Sequence, residues 1–188
     1  MKDLMIDIET AGELPNSKIL TVGAVFFDRN SGRLGKEFYM RASHTLGING
    51  KRISTKATQY WWEHKAPDEA REEAFGGEEL LEVVLIKFKR WVRDNCSLTK
   101  VRPWGNGSTF DEVLLENAYR MLANPEKSGY SIAPPWRFYN IRDVRTALDM
   151  AKIKKSSIPF EGVEHHALDD AKHEARLVIA SVQKVGIR

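Results

Sequence analysis

Two acidic side chains stand two residues apart near the end of the first apolar run, Leu4-Met5-Ile6-Asp7-Ile8-Glu9-Thr10. In a β-strand, residues i and i+2 point to one side, ~7 Å apart. Asp7 and Glu9 would then share a face, with Ile6 and Ile8 on the other. Like charges placed together disfavour each other's ionisation. A divalent cation removes that conflict; Mg²⁺ is commonly held by one or two carboxylates with water and substrate phosphates. The alternative is that both acids lie past the strand end, in solvent.

Two further segments carry groups able to act with this pair. Asn106-Gly107-Ser108-Thr109-Phe110-Asp111 follows a short apolar run and opens a helical pattern. Ser108 or Thr109 would cap that helix, which leaves Asp111 in its first turn. An acid there either complements the helix dipole or reaches the cation held by Asp7. His165-His166-Ala167-Leu168-Asp169-Asp170 precedes the last helical pattern. Asp169 and Asp170 suit a first turn equally well. A lone histidine is more often a surface or hydrogen-bonding residue than a catalyst, and two adjacent histidines five residues before an acid shift that balance only a little. Zinc on the paired histidines is disfavoured, because the chain has one cysteine and no second ligand cluster.

These residues need a scaffold, and the hydrophobic pattern supplies one. Leu4 to Ile8 reads as a first strand, Ile19 to Phe27 as a second and Lys36 to Arg41 as a third, joined through the turn cluster Asp28 to Gly32. That is an antiparallel meander. Helical signals follow. Ser54 caps a short helix carrying Tyr60, Trp61 and Trp62, and Leu81, Val84, Leu85, Phe88, Trp91 and Val92 fall on one helical face. Val101 to Trp104 reads as a strand, Thr109 to Leu122 as a helix and Asn124 to Pro135 as a loop. Trp136 to Ile141 reads as a fifth strand and Val144 to Ala151 as a helix, with a polar connection from Lys154 to Glu164. Ala171, Ala175, Val178, Val182 and Val185 form the stripe of a final helix. Three strands followed by alternating helices and strands imply a mixed sheet flanked by helices.

Composition narrows the setting. At 188 residues one domain is the expectation. The lone cysteine, Cys96, excludes an intrachain disulfide and fits the cytoplasm. No secretory leader is expected from the start, and no apolar run approaches the ~20 residues of a membrane span. A net charge of +3 permits nucleic acid as a partner without requiring it. If acids cluster round metals, the remaining surface is more basic than that total.

Taken in order, Asp-x-Glu on the first strand, Asn-Gly-x-x-Phe-Asp at a strand-to-helix turn and His-x-x-x-x-Asp before the last helix resemble the three motifs of DEDDh 3′→5′ exonucleases, on an RNase H-like fold. The likeness spans Asp7 to Asp170. Ser54 to Trp62 (STKATQYWW), Ala66-Pro67 with Ala70-Arg71, and Phe138 to Thr146 (FYNIRDVRT) are further similar to phage exonuclease A and exonuclease VIII-like proteins.

The resemblance implies an α/β fold, an RNase H-like mixed five-stranded sheet with the meander at its start, forming a single exonuclease domain over 1–188. It implies that Asp7, Glu9, Asp111 and Asp170 hold two ions, Mg²⁺ or Mn²⁺, since oxygen ligands favour these over zinc. It makes His165 the general base, because four residues separate it from Asp170. His166 and Asp169 are each one residue out of register. The implied reaction is two-metal hydrolysis at a 3′ end of DNA or RNA, releasing nucleoside 5′-monophosphates, with a single-stranded end as the expected partner. Thr10 (through its backbone N–H), Trp61, Trp62, Arg142 and Arg145 are the substrate-binding candidates, one tryptophan packing and the other facing substrate. Phe110 is expected in the core, and Asp143 behind the site or as a helix cap. Related exonucleases are often dimers, so a homodimer is an open expectation. Two other readings compete: a non-catalytic nucleic-acid or protein-binding module on this fold, and an RNase H-like endonuclease. The His-x-x-x-x-Asp element argues against the endonuclease.

Overall fold

The computed structural model describes residues 1–122 and 133–186. The strands are β1 (Asp3–Thr10), β2 (Ile19–Asp28), β3 (Arg33–Arg41), β4 (Arg102–Gly105) and β5 (Arg142–Asp143). They form one sheet in the order β3-β2-β1-β4-β5. The first three run antiparallel, whereas β4 is parallel to β1 and β5 to β4. This is the expected mixed sheet. The helices are α1 (Lys56–His64), α2 (Asp68–Phe75), α3 (Leu81–Asn95), α4 (Asp111–Leu122), α5 (Val144–Ala151) and α6 (Ala167–Val185).

Strand alternation sorts the side chains into two cores. Leu4, Ile6 and Ile8 of β1 pack with Val22, Ala24 and Phe26 against α3 and α4, through Leu81, Leu85, Phe88 and Leu115. Met5 packs with Val25 and Phe27 against α5 and α6, through Val144, Ala171, Ala175 and Val178. Asp7 and Glu9 continue the Met5 face, because side chains alternate along a strand. The acids therefore point to the side covered by α6. Trp62, Ala70 and Ala74 form a smaller core with Ala11 and Leu20, which anchors α1 and α2 at the end of β1.

Gly23 lies opposite Asp7 in the β1–β2 register. A Cβ there would sit 2.2 Å from the backbone carbon of Ala167. Only glycine lets the first turn of α6 rest on the sheet beside Asp7. Ala167, Ala171 and Ala175 keep the rest of that helix face small enough to follow it down.

Three sequence expectations are corrected, and one helix is new. The fifth strand is only Arg142–Asp143; Phe138–Asn140 is a 3₁₀ turn whose Phe138 and Tyr139 are exposed. The aromatic run that suggested a strand instead anchors through Trp136, buried with its Nε1–H donating to Glu116 at 3.0 Å. Thr55, not Ser54, caps α1, accepting from the Thr58 N–H at 3.4 Å. Helix α4 begins at Asp111, so Ser108 and Thr109 lie before it. Helix α2 has no counterpart in the sequence reading, since its buried face is just Ala70 and Ala74. The loop expected over 124–135 lies, up to residue 132, outside the described residues. Among the described residues no helix is long and apolar enough to cross a membrane.

Candidate active site

The ends of three elements meet at the C-terminal edge of β1. Asp7 and Glu9 come from the strand itself. Asp111 comes from the first turn of α4, entered through the loop after β4, where Gly107 adopts φ 125°. Its Oδ1 accepts the Ile8 N–H at 3.2 Å, which ties α4 to β1 beside both strand acids. Asp170 comes from the first turn of α6. Glu9, His165 and Asp170 each offer an atom within 4.8 Å of the others.

Asp170 also fixes the histidine. Its Oδ2 accepts the His165 backbone N–H at 2.7 Å, and His165 takes a left-handed φ of 65°. A left-handed backbone is uncommon outside glycine and is held only where surrounding contacts over-determine it. Trp61 supplies another contact, with its ring edge-on to the imidazole at 4.7 Å. His166 turns elsewhere: its ring lies tilted against Tyr39 at 4.4 Å, with Nδ1 3.5 Å from Asp169. The two adjacent histidines thus face different surroundings, and His165 is the one beside the acids.

The structure adds a carboxylate that the sequence reading missed. Glu174 is 2% exposed, its Oε1 accepts from Asn106 Nδ2 at 2.7 Å, and its Oε2 is buried without a partner. It lies one helical turn after Asp170, so i,i+4 spacing was the available signal. Asn106 also accepts from Arg145 Nε at 3.1 Å, which links a rim cation to the buried acid. Behind Asp111, Glu112 is fully buried with neither oxygen hydrogen-bonded. Burial and then Asp111 raise its carboxyl, favouring the neutral form.

Crowding governs the electrostatics. Burial raises Asp7 well above the ordinary carboxyl range, followed by repulsion from Glu174, Asp111, Glu9 and Asp170. Glu9 is raised by burial and then by Asp170. Burial pushes Asp111 up to about 7, opposed by backbone N–H groups and the Arg145 charge. Glu174 is pushed up to about 8 by burial and then by Asp111. Asp170 is raised by burial, with the His165 N–H pulling the other way. Five carboxyls facing inward, one with an orphaned oxygen, fit divalent cations with oxygen ligands.

The remaining candidates separate by position. A cavity of about 390 Å³ opens beside Glu9 and Thr10, walled by Trp61, Trp62 and Phe110. Trp62 is 2% exposed and donates its Nε1–H to the Thr10 carbonyl at 2.8 Å. Trp61 is partly exposed and presents its ring to the cavity. Phe110 both packs on the core and lines this cavity. Arg142 is engaged with the carbonyls of Ile141 and Tyr139 and does not line it. Asp143 caps α5, accepting from the Thr146 N–H at 2.9 Å.

An RNase H-like sheet with these acids at one strand end and a histidine beside them defines a DEDDh-type 3′–5′ exonuclease. Solved structures share the fold: the nuclease domain of 3′hExo bound to rAMP superposes with a TM-score of 0.65 at 15% identity, over 96% of this chain and 91% of that one. E. coli exonuclease I in complex with a dT13 oligonucleotide gives 0.56 at 17% identity, over 99% of this chain and 41% of that one. The chain belongs to the Rv2179c-like family: the model of the 3′-5′ exoribonuclease Rv2179c-like domain matches residues 2–182. An exodeoxyribonuclease of Enterobacteria phage T4 is 26% identical over 165 residues, 79% of this chain and 71% of the phage protein. Membership of an exonuclease family replaces the binding-module and endonuclease readings.

Proposed function

We propose that this exonuclease removes single nucleotides from the 3′ end of a nucleic-acid strand, with divalent cations held by Asp7, Glu9, Asp111 and Asp170 and with His165 as general base. The observation that carries this reading is the meeting of Glu9, His165 and Asp170 within 4.8 Å. Two Mg²⁺ or Mn²⁺ ions would supply charge for the phosphate and a more acidic water. His165 accepts the proton of the attacking water at an imidazole nitrogen. The water oxygen bonds to phosphorus as the P–O3′ bond breaks and O3′ takes a proton from solvent, leaving a nucleoside 5′-monophosphate and a shortened strand with a 3′-OH.

Chain residues orient these groups. Asp170 holds the His165 backbone and Trp61 packs edge-on against its imidazole, beside Glu9. The 390 Å³ cavity beside Thr10 accepts the terminal nucleotide, with Trp61 and Phe110 as flat walls for its sugar and base. Arg145, tied to Asn106, lies where it can meet a phosphate at the rim. The relatives' names supply both polymers: the family's names RNA and the phage enzyme's names DNA.

Matched single- and double-stranded DNA and RNA oligonucleotides, labelled at the 5′ end and incubated with each ion, test the reading and assign the polymer. A metal-dependent ladder of one-nucleotide steps is expected. Cleavage of a closed circle, or internal cuts before the ladder, would overturn it.

A further inference from the structure

The acids lie between two cavities. The first touches Glu9. A second, of about 520 Å³, touches His165 and Asp170 and is lined also by Lys155, Phe160 and His173. Because Glu9, His165 and Asp170 converge within 4.8 Å, both cavities open on the same reacting region. A phosphodiester under attack has a departing nucleotide on one side and the retained strand on the other. The aromatic cavity beside Thr10 is assigned to the departing nucleotide, which leaves the second for the strand.

The second cavity sets Lys155 against the carboxyls of Glu164 and Asp170, so the lysine is the group in it that can meet a phosphate. Lys155 enters none of the ion pairs among the described residues. Its turn is pinned, since the Ser157 N–H and hydroxyl both donate to the Lys154 carbonyl, at 2.9 and 2.7 Å. Lys155 lines one cavity with His165 and Asp170, which places it beside the site. Behind it His173 is 2% exposed and packs on Phe160 at 4.9 Å, making a firm wall. The other nearby cation, Arg176, is occupied by Glu161 at 2.8 Å. Lys155 is therefore an uncommitted positive charge, and among the described residues it is the lysine that lines this cavity.

We propose that the second cavity is a subsite for the retained strand, in which Lys155 contacts the phosphate upstream of the scissile one. This rests on the exonuclease reading above. The test uses two substrates: a single-stranded oligonucleotide, and the p-nitrophenyl esters of thymidine and uridine 5′-monophosphate, which place p-nitrophenolate where the retained strand begins and carry no phosphate upstream of the scissile one. For K155A, KM for the oligonucleotide should rise about tenfold, as expected for a lost charged contact. The slope of log(kcat/KM) against log salt should become shallower by ~0.7, one single-strand phosphate contact. The loss on the nucleotide esters should be at least about fivefold smaller. K154A alters the neighbouring lysine, which does not line the cavity, and should stay within about twofold of wild type. Oligonucleotide KM for K155A within about twofold of wild type would overturn the subsite. Equal loss on both substrates would also overturn it, by moving Lys155 to the reacting phosphate. Wild-type protein inactive on both substrates would sink the exonuclease reading, and the subsite with it.

Discussion

The metal-free protein should lose stability as pH rises, and metal should restore it. Asp111 is 3% exposed and pushed up to about 7 from an ordinary value of 3.8. Glu174 is pushed up to about 8 from 4.5. A carboxyl with a raised folded-state pKa keeps its proton in the fold. Its stability is complete below the unfolded value and is lost as pH climbs through the folded one. The window therefore runs from about pH 4 to about pH 8. The displacement at Asp111 alone corresponds to ~4 kcal/mol. Glu174 does not add a second full share, because the two repel each other and titrate together. For a chain of this size ~4 kcal/mol is a melting-temperature change of roughly 8–16 °C. The assay is thermal unfolding in chelator and in Mn²⁺, from about pH 5 to about pH 8.5. In chelator the melting temperature should fall across that range. Mn²⁺ should offset most of the fall at the alkaline end and little at the acid end. A flat or rising curve in chelator, or a metal effect as large at acid pH as at alkaline pH, would refute the reasoning.

Other perturbations bear on single residues. Asp7→Ala or Asp111→Asn should reduce cleavage to background while circular dichroism stays that of the wild type. His165→Ala should slow cleavage by roughly 10²–10⁴-fold; near-full activity in the purified variant would remove His165 as the base. Glu174→Gln should raise the melting temperature of the chelated protein at alkaline pH, since a buried like charge is gone. It should also weaken Mn²⁺ binding by about tenfold in calorimetry, in the range for a residue acting behind metal ligands; a lowered melting temperature with unchanged Mn²⁺ affinity would make Glu174 merely structural. Trp62→Phe leaves the Thr10 carbonyl without its donor and should cost on the order of 1–3 kcal/mol in chemical denaturation.

The sheet and its acids were legible because their signals are local. Alternation in β1 put Asp7 and Glu9 on one face, and the i,i+4 stripe of α6 drew the final helix. Glu174 was harder, because a glutamate inside an amphipathic helix reads as a solvent-facing residue. Only the closeness of α6 to β2 turns it inward, and that closeness depends on a pairing between residues 23 and 167 that no periodicity contains. The two tryptophans were equivalent by spacing alone. The Thr10 carbonyl separates them, by taking the indole N–H of Trp62 and leaving the Trp61 ring for the cavity. The fifth strand failed because aromatic enrichment marks burial as readily as pleating, and Trp136 used it for burial.

Gly23 carries a lesson about how lineages lose activity. It has no side chain to bind metal, move a proton or meet a nucleotide, yet any larger residue would lift α6 off the sheet. Asp170, Glu174 and His165 would ride away with the helix while Asp7 and Glu9 stayed on their strand. A descendant altered at this position would keep all four acids and the histidine in its sequence while the two halves of the cluster no longer met. Counting motif residues therefore certifies ancestry, and the glycine behind Asp7 is the better witness to whether the catalyst is still assembled.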